Sequence, residues 1–127
     1  MKPRRFLILC RNDWMAPNAG AVEHYVHQVF SRIAARGHYV AWLCAGHRPF
    51  TWLWSHEELL KNIEGIQLAY LGDRFFYPLM VHLFFSRLAK QGKLDTDFDA
   101  VISCINGRTP RVDRYGNIPV VPIVFNL

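Results

Sequence analysis

Between Phe6 and Leu43 the sequence leaves room for little besides a strand, a helix and a second strand. Phe6-Leu7-Ile8-Leu9-Cys10 is an unbroken apolar run, as a strand buried on both faces requires. Val22, Val26, Val29, Phe30 and Ile33 then recur at helical spacing, with Glu23, His27, Gln28, Arg32 and Arg36 on the other side. Gly37 stops the helix, and Tyr39-Val40-Ala41-Trp42-Leu43-Cys44 is a second buried run. A right-handed crossover makes the two strands parallel neighbours. The connecting loop Pro17-Asn18-Ala19-Gly20-Ala21 then lies beyond their carboxyl ends, where open parallel sheets bind ligands.

Downstream, Trp52 to Asn62 reads ambiguously: Ser55 with Glu58 has the form of a helix start. The indoles of Trp52 and Trp54 fit core packing better than a pocket lining. Glu64-Gly65 predicts a turn and Ile66 to Leu71 a third strand, with Gly72-Asp73-Arg74 the next loop at the ligand edge. A helix follows with Pro78 in its first turn, where a missing N–H does little harm. Leu79, Met80, Val81, Leu83, Phe84, Phe85 and Leu88 make it apolar almost all round, and Gly92 and Asp95 to Asp97 end it. Phe98 to Cys104 is a fourth strand, Ile105 to Asn117 a polar loop, and Val120 to Phe125 a fifth strand. This order predicts an α/β fold over residues 1–127, a Rossmann-like, mostly parallel sheet of about five strands with helices on both faces. An apolar strand at the end of the chain leads us to expect the first part of something longer.

One domain of 127 residues with 51% hydrophobic content has ample material for a core. The net charge of +5 is scattered, with no basic helix face, so nucleic acid is not expected as a partner. Cys10, Cys44 and Cys104 lack C-x-x-C spacing, which argues against a disulfide framework and a zinc site. Each closes a predicted strand, so buried, reduced thiols near one sheet edge are expected, in a cytoplasmic protein. The apolar run after Lys2-Pro3-Arg4-Arg5 is too short for a signal peptide.

Ala19-Gly20-Ala21-Val22-Glu23, the amphipathic helix and Ala35-Arg36-Gly37-His38-Tyr39-Val40 together resemble the opening of family 4 glycosyltransferases, which runs A-G-G-x-E, a helix, then R-G-H-x-V. Phe98-Asp99-Ala100-Val101-Ile102, the loop bearing Asn106 and Gly107, and Pro119-Val120-Val121 are similar to that family's D-x-V-I strand, asparagine loop and P-V-V strand. The resemblance implies the N-terminal, acceptor-side half of a two-domain GT-B enzyme. Such an enzyme moves a sugar from a nucleotide-sugar to an acceptor hydroxyl, with retention and without a metal or other cofactor. The nucleotide-sugar would be held chiefly by a second domain absent from this chain. Two positions depart from the pattern. Ala21 replaces the second loop glycine, harmlessly if it is the first helical residue. Phe125 stands at the position matching a family histidine, with Asn126 beside it as the substitute candidate.

The candidate donor and acceptor loop is therefore Asn18, Ala19, Gly20, Ala21 and Glu23; exposed amides at a helix start suit an anion. A plain turn with a packing glycine is the alternative, and Glu23 would complement the helix dipole in either case. Arg74 and Arg108 offer guanidinium forks for phosphate, or are solvated loop residues; Asn106 and Asn126 suit sugar hydroxyls. No catalytic residue is assigned. His24 and His27 read as solvated, His38 as finishing the helix end, and His82 as a core histidine. The apolar run from Phe75 to Phe85 fits burial between the sheet and a neighbour better than membrane contact, which would be peripheral, at the inner face, and useful for a lipid-linked acceptor. The rival readings are a non-catalytic acceptor- or membrane-binding fragment and an unrelated α/β nucleotide-binding domain. The second lacks both G-x-G-x-x-G and G-x-x-x-x-G-K-[ST].

Overall fold

A computed structural model of the chain describes residues 2–10, 12–15, 19–45, 61–70, 77–90, 92, 97–104 and 118–123. The described residues form six strands: β1 (Arg5–Leu9), β2 (Tyr39–Cys44), β3 (Lys61–Ile63), β4 (Ile66–Tyr70), β5 (Ala100–Ser103) and β6 (Val120–Pro122). They make one sheet in the order β3-β4-β2-β1-β5-β6, parallel throughout except for the antiparallel pairing of β3 with β4. Helix α1 (Ala21–Ala35) joins β1 to β2, and α2 (Tyr77–Lys90) lies between β4 and β5. The protein is thus an α/β fold with a mostly parallel sheet, compatible with a Rossmann-like arrangement.

The sheet divides the core in two because successive strand residues point to opposite faces. Leu7, Leu9, Ala41, Leu43 and Val101 pack with Tyr77, Val81 and Phe85 of α2. Ile8, Cys10, Val40, Trp42, Cys44, Ile66 and Ile102 pack with Val26 and Phe30 of α1. Each fully buried apolar side chain contributes roughly 1.5–3 kcal/mol. β1 lies in the middle and is buried from Leu7 onward, which is why its sequence is a continuous apolar run rather than an alternation. Tyr77 ties the first turn of α2 to the carboxyl end of β2, its hydroxyl donating to the Leu43 carbonyl at 2.6 Å.

Three expectations need correction. Asn62, at the end of the ambiguous stretch, is in a strand: Lys61–Ile63 pairs with β4 as a hairpin, giving six strands among the described residues where about five were expected. The connecting residues Glu64 (φ 55°) and Gly65 (φ 86°) are both left-handed, the two-residue geometry that matches strand twist and enforces pairing of its flanks. His82 is exposed, not a core residue, and Leu79 and Leu83 beside it are 53% and 51% exposed, so α2 is covered on one side only. His38 does not finish α1. Gly37 (φ 94°) does so, its N–H donating to Ala34 O at 3.0 Å, while His38 Nδ1 accepts the Arg4 N–H at 2.9 Å and holds the entry to β1.

Candidate functional site

The strand order reverses at β1, whose neighbours are β2 on one side and β5 on the other. A crevice opens at the carboxyl end of such a switch point because the connections leave toward opposite faces. Cys10 and Cys104 follow β1 and β5 directly at this end. The ladder continues past the strand ends, with Cys104 N donating to Leu9 O at 2.8 Å and Cys10 N to Leu43 O at 3.2 Å. Cys44, Cys10 and Cys104 therefore lie in a row across three adjacent strands, on the α1 face, all buried and none in a disulfide. Buried thiols gathered at one edge match the expectation from sequence.

α1 begins directly above this row. Gly20 is its N-cap, extended at φ −110° and ψ −163°, and Ala21 is the first helical residue, where alanine is favourable. The N-cap glycine has no side chain to offer the first amides, so only half of a capping box exists: Glu23 Oε2 accepts the Gly20 N–H at 2.7 Å. Its other oxygen accepts from the Cys10 thiol, with Sγ 4.0 Å from Oε1. One carboxylate thus ties the helix start to the end of the central strand. The Cys10 thiol is pushed well above its ordinary range, first by its hydrogen bond with Cys104, then by burial and by the charge of Glu23. Cys44 is pushed up by burial and then by the nearby charge of Asp13, which is itself buried at the start of the same loop. Such thiols are protonated, weak nucleophiles. This row of thiols is chemically quiet, and the positive end of α1 above it is covered by Glu23.

Beside the crevice, Trp14 stacks on His27 with ring centroids 4.4 Å apart and planes at 16°, and meets Trp42 edge-on at 5.1 Å. His27 Nε2 lies 2.6 Å from Glu64 Oε2. His27 is therefore a bridge between Trp14, in the connection after β1, and the β3–β4 hairpin, a correction to the solvated reading; His24 is exposed as expected. Ser103 Oγ, buried at the end of β5 on the α2 side, has no hydrogen-bond partner among the described residues. Sequence reasoning singled out neither Asp13, Trp14 nor Ser103.

Of the anticipated contacts, Ala19, Gly20, Ala21 and Glu23 come together at the start of α1. Asn18, Arg74, Asn106, Arg108, Phe125 and Asn126, like Trp52 and Trp54, lie outside the described residues. Among the described residues no group of three or more histidine, cysteine or carboxylate side chains could hold a metal ion, and no helix is long and apolar enough to cross a membrane. Neither a family model, nor a curated protein, nor a solved structure matches this chain.

Proposed function

We propose that the chain is the acceptor-side domain of a GT-B, nucleotide-sugar-dependent retaining glycosyltransferase. The observation that carries this reading is the position of the A-G-A-V-E motif: its glycine caps α1 at the carboxyl edge where β1 and β5 part. Two further segments that resemble the family, the D-x-V-I and P-V-V stretches, are adjacent parallel strands, with Val101 opposite Val120 and Ile102 opposite Val121. The domain would receive an acceptor, of the lipid-linked class among others, while a second domain carries the nucleotide-sugar. The amides at the start of α1 would stabilise the departing diphosphate by preorganised partial charge, and Arg74, Arg108, Asn106 and Asn126 would complete the contacts. Glu23 holds the Gly20 amide in the free protein, so an incoming phosphate competes with it for that donor.

The test is an assay for sugar transfer and nucleotide-sugar hydrolysis, run on this chain alone and on a longer chain supplying a second α/β domain. Turnover only by the longer chain is expected. Turnover by the 127-residue chain contradicts the half-enzyme reading. Phe125 in place of the family histidine favours a second reading, a module that binds acceptor without catalysis; inactivity of both chains together with retained acceptor binding identifies it. Tight calorimetric binding of NAD or ATP supports instead an unrelated nucleotide-binding domain.

A further inference from the structure

Cysteines far apart in the sequence become neighbours at the carboxyl ends of β2, β1 and β5. Leu9 is opposite both Leu43 and Ser103, so Cys44, Cys10 and Cys104 follow in register on three adjacent parallel strands. Residues in register on parallel strands point to the same face, and all three side chains join the core on the α1 side. A thiol therefore stands on either flank of Cys10. The Cys10 thiol turns to one of them: its side-chain hydrogen bond is with Cys104. The charge that acts on Cys44 is that of Asp13.

Adjacent strands run about 4.8 Å apart, and a disulfide bridges Cα atoms about 4.4–6.8 Å apart. The ladder bond from Cys104 N to Leu9 O at 2.8 Å keeps β1 and β5 paired up to these two residues. The backbone is thus in place for a bridge, and the two thiols are already in hydrogen-bond contact. The third participant is Glu23, whose Oε1 lies 4.0 Å from Cys10 Sγ and accepts from it. We propose that Cys10 and Cys104 are a redox pair, closed to a cross-strand disulfide by hydrogen peroxide. Glu23 takes the Cys10 proton as the sulfur attacks one peroxide oxygen. The O–O bond breaks, Cys10 becomes a sulfenic acid, and the hydroxide leaves as water with that proton. The Cys104 sulfur then displaces the sulfenic hydroxyl, which leaves as a second water with the Cys104 proton. Each cysteine is oxidised by one electron, and the peroxide is reduced by two. Burial and the contact with Cys104 hold Cys10 protonated at neutral pH, so the first step is slow and the pair responds to sustained rather than brief exposure. The bridge ties β1 to β5 at the switch point and takes from Glu23 one of its two donors. None of this rests on the glycosyltransferase reading.

The test exposes the folded, reduced chain to hydrogen peroxide for hours, counts the remaining thiols and maps disulfides by mass spectrometry of peptides cut without reduction. The three free thiols should fall to one, in a monomer lighter by two hydrogens with Cys10 linked to Cys104. Dithiothreitol should restore all three. Cys44→Ala should still close the bridge, whereas Cys104→Ser should stop at a Cys10 sulfenic acid that dimedone captures. Circular dichroism checks that both variants fold, and the peptide map of the unaltered protein is decisive if one does not. Survival of all three thiols in the folded chain, a bridge from Cys10 to Cys44, links only between molecules, or a bridge that forms only in urea would overturn the proposal.

Discussion

The carboxylate of Glu23 sits on the backbone amide of Gly20, Oε2 to N 2.7 Å, and so fills the position where an external anion would meet the start of α1. Removing it has two opposed effects. Glu23→Ala loses the favourable charge at the helix start, an expected destabilisation of about 0.3–1 kcal/mol in urea titration. The same change frees the amide, so pyrophosphate or a nucleoside diphosphate should bind more tightly by calorimetry. Weaker binding would instead make Glu23 a ligand contact.

The glycines should rank by backbone conformation rather than by their place in a motif. Gly20 has negative φ, and a Cβ there would meet Glu23 Oε2 at 3.4 Å, an ordinary contact. Gly20→Ala should therefore cost less than about 1 kcal/mol. Gly37→Ala meets nothing but forces alanine to φ 94°, for roughly 1–2 kcal/mol. Gly65→Ala should cost more still, because its Cβ would also stand 3.2 Å from that of Ala34. Chemical denaturation of the three variants checks the order.

Glu64 combines a strained backbone at φ 55° with the hydrogen bond to His27. Glu64→Gly relieves the strain while losing the bond, so stability should change by less than about 1 kcal/mol. Glu64→Ala keeps the strain and loses the bond, and should be the less stable of the two. His27→Ala also removes the stack on Trp14, where an aromatic pair contributes about 0.5–1.5 kcal/mol beyond its buried area. Thermal melts of the three variants separate these contributions.

Cys10 and Cys44 have thiol pKa values raised above the ordinary 9.0 in the folded protein. Above pH 9 the unfolded chain releases protons that the folded chain retains, so ionisation favours unfolding and stability falls as pH rises. The expected slope for Cys44 is about 1.4 kcal/mol per pH unit. Cys44→Ala should flatten the curve between pH 9 and 10.5, values set on the order of one unit around the free thiol range. In the native state at neutral pH, a thiol-specific reagent should label slowly, and all three cysteines should react on unfolding.

What was legible in the sequence follows from how local its causes are. β2 was read with its observed bounds because Gly37 and an apolar run delimit it within a few residues. The β3 strand was missed because Lys61-Asn62-Ile63 is too short for a periodicity and follows good helix formers; only the left-handed Glu64-Gly65 pair marks it. His27 was misread because its partners, Trp14 and Glu64, come from a loop and a hairpin that α1 meets only after folding. His82 was misplaced because apolar neighbours on both sides of it in sequence do not reveal which side of α2 the sheet covers. At the site, the exposed helix start was legible from Gly20 and Glu23, whereas the thiol of Cys10 beneath Glu23 depends on strand register.

The place of β1 between β2 and β5 also sets an order of assembly. Its pairing with β2 joins positions about 34 apart, a modest loop-closure cost, whereas its partners in β5 follow about 94 positions later. On the ribosome, the β1-α1-β2 half can therefore dock while the other flank of β1, apolar from Phe6 to Leu9, still faces water with its amides unpaired. The nascent chain is most prone to mispair during that interval, and its need for a chaperone should end when Ala100–Ser103 emerges and zips against Phe6–Leu9.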